Sequence, residues 1–251
     1  GLADFTADML NEGTATRSAI DLNDALQTLA TDVGFGADTD FSYAGLEGLE
    51  DTLDSSLELF ADMLRNPSFP GEDLARVKAD RLNRLLTRKD EISNVAFDVF
   101  LRRLYGDTYA GRPGAGDADQ LATITRDDLV AWHRGAWRPG NASLVVVTRL
   151  ERDAVLPLLE KHLGTWKDSD AAPIAPVAPA PAKQAGRTIY WVDRPGSSQS
   201  FVILGNTTPG FQAEVQAARE LGNYPFGGQF TSRINMNLRE TKGWSYGSRS
   251  G

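Results

Sequence analysis

Apolar residues recur at helical spacing through most of the first two thirds of the chain. Leu22, Leu26 and Leu29 follow Ser18, which can cap their helix. Leu49, Leu53, Leu57, Phe60 and Leu64 repeat every three or four positions until Asn66-Pro67 ends the run. Leu74, Val77, Leu82 and Leu85 predict the next helix, and residues 95–104 another. Thr125-Arg126-Asp127-Asp128 has the form of a capping box opening the helix that carries Trp132. Residues 153–163 predict a helix closed by Gly164, with Pro157 kinking it or marking its start. Strand patterns are fewer. Residues 35–46 alternate weakly and read as one or two strands, and 142–148 as a buried strand. Further on, 188–192 and 200–204 are short β-rich runs, 212–222 a helix, and a short polar helix runs to about 240 before the start of a strand at 243–247.

One break in composition divides this pattern. Residues 168–186 hold four prolines among many alanines, which leaves little to pack and favours an extended connection. The chain therefore reads as a first domain at 1–167, a linker at 168–186 and the start of a second domain at 187–251. The opening at Gly1 without a methionine, and an end inside an expected strand, read as a piece of a longer chain. No basic leader with an apolar core opens the sequence, and no window reaches the ~20 apolar residues of a membrane-spanning helix.

Charge and residue inventory narrow the chemistry. Twenty-six Lys and Arg against 34 Asp and Glu give a net charge of −8, which disfavours nucleic acid as a partner. There is no cysteine, so thiolate metal sites and cysteine nucleophiles are excluded. His133 and His162 are the only histidines, too few for a three-histidine zinc site.

The segment Gly1-Leu2-Ala3-Asp4-Phe5-Thr6-Ala7-Asp8-Met9-Leu10-Asn11-Glu12-Gly13-Thr14 resembles the signature helix of the insulinase/pitrilysin-like (M16) zinc peptidases. In active members this helix carries H-x-x-E-H, then Met, Leu and a Gly-Thr pair. Here Asp4 and Asp8 stand at the two histidine positions and Ala7 at the glutamate position. The family's third ligand is a glutamate about 75 residues downstream, where this chain reads Leu82-Asn83-Arg84-Leu85 without a carboxylate. The resemblance continues through 124–129, Arg138-Pro139-Gly140-Asn141 and 144–147, and then through 199–205 and Gly227-Gly228-Gln229-Phe230-Thr231-Ser232-Arg233 to Leu238-Arg239-Glu240. Non-catalytic halves of the family carry an Arg and a Tyr seven positions apart, matched by Arg239 and Tyr246.

The resemblance implies an α+β fold of repeated M16-like (LuxS/MPP-like) domains, each an antiparallel sheet with helices on one face. It implies the non-catalytic half, or inactive subunit, of a bacterial zinc metallopeptidase, inactive on its own. This half would enclose a peptide substrate, while Arg239 and Tyr246 assist in trans on the carbonyl or its oxyanion. Zinc would belong to the partner half, a homologous active subunit or a fused one, and none to this chain. Self-pairing into a homodimer is a second route, and a periplasmic location follows by the same resemblance.

Two other functions fit the residues. One is a purely structural or assembly subunit, resembling the respiratory-complex core proteins. The other is a divergent metalloenzyme built on Asp4 and Asp8, which share a helix face at i and i+4. Two carboxylates fall short of the 6–8 oxygens a calcium site takes, so the plainer reading is two acids in the first turns of a helix, favoured there by its dipole. The Arg/Lys series from Arg76 to Lys89 reads as a solvated helix face, and Trp132, Trp137 and Trp166 as core or rim packing.

Overall fold

The computed structural model describes residues 1–172, 174 and 186–251. Most of the expected linker, residue 173 and residues 175–185, lies outside the described residues. The chain divides into two compact units, Gly1–Leu204 and Gly205–Gly251.

The first unit is built around α1 (Leu2–Met9), whose Phe5, Ala7 and Met9, with Leu10 just beyond, are fully buried. Helix α2 (Ala19–Thr28) starts at a capping box between Ser18 and Asp21. A hairpin follows, β1 (Asp32–Ala37) and β2 (Ser42–Glu47), paired antiparallel with Val33 opposite Leu46 and Phe35 opposite Ala44. Those four side chains share one face, because side chains alternate along a strand. They join the core beneath α1 and α3 (Leu53–Arg65). There Phe35 stacks on Phe60 with ring centroids 6.2 Å apart and meets Trp137 edge-on at 5.9 Å. The fold is α+β, with helices on one face of an antiparallel sheet.

Helices α4 (Gly71–Arg88), α5 (Ile92–Tyr105), α6 (Ala118–Thr123), α7 (Arg126–Ala136) and α8 (Arg152–Leu163) complete this unit. Pro157 sits inside α8, so the helix starts before it. Helix α7 opens as expected. The Asp128 amide donates to Thr125 Oγ1 at 3.3 Å, and the Thr125 amide donates to the Asp128 carboxylate at 2.8 Å. The Thr125 hydroxyl, and after it the Thr125 amide, donate to the Asp128 carboxylate and hold it below its usual range. Thr125→Ala is expected to lower the thermal midpoint by roughly 2–4 °C, because one orphan helix donor loses its acceptor. A thermal scan against Asp127→Ala, which leaves the box intact, checks this.

The sequence expectation fails at 142–148, 188–192, 200–204 and 243–247. None of these runs is a strand, and the β1–β2 hairpin is the sheet found among the described residues. Their apolar side chains are open to solvent, with Val147 94% and Leu204 99% exposed. Exposure still alternates, Ile189 and Trp191 being more open than Tyr190 and Val192. The physical reason is that β-rich composition describes a fit to a pleated surface. A run becomes a strand only where another strand satisfies its backbone groups.

In the second unit α9 (Ala213–Asn223) runs directly into a wide π-turn at Tyr224–Gly228. The short α10 (Arg233–Asn235) likewise continues as a π-turn, Met236–Thr241, where a regular polar helix was expected. The last segment is tied back to both. The Ser250 amide donates to the Gly227 carbonyl at 3.0 Å, and a Cβ on Gly227 would lie 2.1 Å from Ser250 Oγ. Glycine is needed at 227 for that close approach.

Candidate functional site

Asp4 and Asp8 lie one helical turn apart on α1, on the side facing α4. Neither is left to the helix dipole, and Asp8, in the last turn of α1, stands where the dipole disfavours an acid. Arg81 of α4 reaches between them. One terminal nitrogen donates to Asp4 Oδ2 and the other to Asp8 Oδ2. Arg84, one turn on, donates to the same Asp8 oxygen at 3.1 Å. The Arg81 side chain is only 5% exposed, with its guanidinium carbon 5.5 Å from the centre of the Phe5 ring. The expectation of a wholly solvated Arg76–Lys89 face is therefore corrected. Arg76 and Arg84 are open to solvent, whereas Arg81 is core. Charge pairing outweighs solvation here, because an arginine can be buried when its fork is met by carboxylates.

Ala7 is fully enclosed in the hydrophobic cluster. Past the helix end, Gly13 has φ +118°, and a Cβ there would meet the Arg17 carbonyl at 3.1 Å. The Gly-Thr pair thus turns the chain where only glycine sits without strain. Asp4, Asp8, Arg81, Arg84, Leu85, Arg88 and Ala115 line a cleft of about 290 Å³ beside α1.

These residues do not fit a zinc ion. Among the described residues no group of three or more His, Cys, Asp or Glu side chains converges. The two carboxylates are already spent on guanidinium groups. Both histidines are engaged elsewhere. His133 donates from Nε2 to the Leu64 carbonyl at 2.8 Å, and burial pushes its pKa down. His162 Nε2 lies 2.7 Å from Asp54, which also holds Lys161.

Arg239 and Tyr246 belong to the second unit. Arg239 lies in the π-turn that extends α10, with its guanidinium 4.7 Å from the Phe230 ring centre and its Nε 3.3 Å from Glu240. Tyr246 is 87% exposed, and its hydroxyl has no hydrogen-bond partner among the described residues. What fixes its segment is Asn235, missed by the sequence reading. Its buried side chain donates to the Phe230 carbonyl at 2.6 Å and accepts from the Ser248 amide at 3.0 Å. An Asn two residues after an Arg in a polar run gave no signal of that role.

The chain is similar to known proteins over nearly its whole length. The sequence profile described as the peptidase M16 inactive domain matches residues 123–251. An uncharacterized zinc protease of Mycobacterium tuberculosis is 26% identical over 246 residues, covering 98% of this chain and 56% of the relative. A protein of Helicobacter pylori described as a non-peptidase homolog is 23% identical over 247 residues, with 98% and 56% covered. The crystal structure of a peptidase M16 inactive domain from Pseudomonas fluorescens superposes with a TM-score of 0.81 at 27% identity, covering all of this chain and 60% of that one. The chain thus spans a little over half the length of the curated relatives it matches.

Proposed function

The chain belongs to the peptidase M16 inactive-domain family, and from that premise we propose that it is the non-catalytic half of a zinc metallopeptidase. It encloses a peptide substrate opposite a zinc-bearing partner half and offers Arg239 and Tyr246 to the substrate carbonyl. In this reading residues 1–167 form one domain, 168–186 the connection and 187–251 the opening of a second.

The observation that carries the reading is the state of Arg239 and Tyr246. Tyr246 presents its hydroxyl to solvent with no partner among the described residues, and Arg239, which lies over the Phe230 ring, forms its ion pair with Glu240 through Nε. A tyrosine O–H and an arginine N–H can each donate to a carbonyl oxygen, and more strongly as that oxygen becomes an oxyanion. The Asn235 bridge keeps the Tyr246 segment in place without using either donor. The first unit supplies walls: its former ligand positions are closed by Arg81 and carry no step.

The test is complementation. Mixed with a homologous half that carries an intact H-x-x-E-H, the chain is expected to form a complex by size exclusion. That complex should cleave a flexible fluorogenic peptide that neither half cleaves alone. A complex without turnover favours the assembly-subunit reading, which the closed Asp4–Arg81–Asp8 cluster also suits.

A further inference from the structure

We propose that Arg81 does the work of a bound cation. It cross-links α1 to α4 through Asp4 and Asp8, and its presence, beyond the loss of histidines, closes these positions to divalent metal. Two carboxylates one turn apart on α1 aim at one point, and that point is filled by a side chain 73 and 77 residues downstream. The planar fork of arginine gives one nitrogen to each carboxylate, a geometry that a lysine ammonium does not reproduce. Arg84 adds a second guanidinium on Asp8. The two positive charges balance the two negative ones, the same total a divalent cation would bring.

Arg81 also has an advantage over an ion. It is tethered to α4, so it loses no translational freedom on docking, and the buried side chain sets its guanidinium over the Phe5 ring. A metal competing for these oxygens would have to displace an arginine side chain that is 5% exposed and leave its charge in the core without its counter-charges, which is costly. The cluster is thus a permanent fastening that works whatever metal is available. This inference concerns the first unit and is independent of Arg239 and Tyr246.

The experiment uses the 251-residue chain, thermal unfolding and titration calorimetry with MnCl₂, CaCl₂ or ZnCl₂, each with an EDTA control. The wild-type midpoint is expected not to move with any cation, and calorimetry to detect no stoichiometric binding. Arg81→Met is expected to lower the midpoint by roughly 5 °C, less than a fully buried pair would cost, because both carboxylates keep part of their solvation. Asp4→Asn/Asp8→Asn in the Arg81→Met background should recover part of that loss, since the carboxylates no longer repel. Arg81→Glu places a third carboxylate at the same point, and its lowered midpoint should rise again with millimolar Ca²⁺ or Mn²⁺ and fall with EDTA. One equivalent of metal in the wild-type chain, or an Arg81→Met midpoint equal to wild type, overturns the proposal. So does an Arg81→Glu chain that ignores all three cations. If Arg81→Glu fails to fold, the Arg81→Met pair and the wild-type titration still decide.

Discussion

If the proposed complex with a zinc-bearing half turns over, Arg239→Ala is expected to lower its kcat by about 10²–10³, with Tyr246→Phe within the same range and KM changed far less. The asymmetry follows from where charge develops. A ground-state carbonyl is a modest acceptor, whereas the tetrahedral transition state carries a near-full negative charge on that oxygen. A donor lost there removes stabilisation of the transition state more than of bound substrate. Arg239→Lys should recover little, because a point charge does not replace a planar fork. Assembly should survive each change, since Tyr246→Phe removes only a hydroxyl. Steady-state kinetics on a fluorogenic peptide, with size exclusion on the same samples, separates the roles. Wild-type kcat in both assembled variants would leave this half with walls alone.

Phe5→Ala is expected to destabilise the first unit by about 3–5 kcal/mol, a large part of the ~5–15 kcal/mol that a domain commonly has. Phe5 is fully buried at the centre of α1, the helix packed against β1, β2, α4 and α7. Its loss opens a cavity there and strips the aromatic face from beneath Arg81. The two losses share a neighbour, so Phe5→Ala and Arg81→Met should not add. Ile20→Ala, at a position 74% exposed on α2, should stay within about 0.5 kcal/mol of wild type. Urea denaturation of the three variants and the double mutant checks both statements.

Where local chemistry decides structure, the sequence was readable. Ser18 and Thr125 announce their helices because a capping box is closed by residues three apart. Asn66-Pro67 ends α3 by removing a backbone donor. The degenerate motif on α1 was legible residue by residue: of the framework positions Leu2, Phe5, Met9 and Leu10, the last three are buried and Leu2 is half-buried against them. The strands at 142–148 and beyond were not, because pairing is a property of two segments and composition reports one. Arg81 escaped for a different reason. It sits on the apolar stripe of α4, in series with Leu74, Val77 and Leu85 at spacings of three, four and four. A charged residue on a stripe, opposite two unpartnered acids at i and i+4, was the available signal. Counting the arginines of α4 as one solvated face concealed it.

The open apolar runs at 142–148, 188–192 and 200–204 have a consequence for handling the chain in solution. Exposed apolar segments can template intermolecular pairing, and mutual repulsion among molecules of net charge −8 opposes it. That restraint is tunable. It weakens as salt shortens the reach of each charge, and it vanishes as acidity approaches the isoelectric point near 4.9. A chain whose fold tolerates mild acid would therefore clump there for reasons unrelated to unfolding, and dilute, low-salt, neutral buffer is its natural refuge.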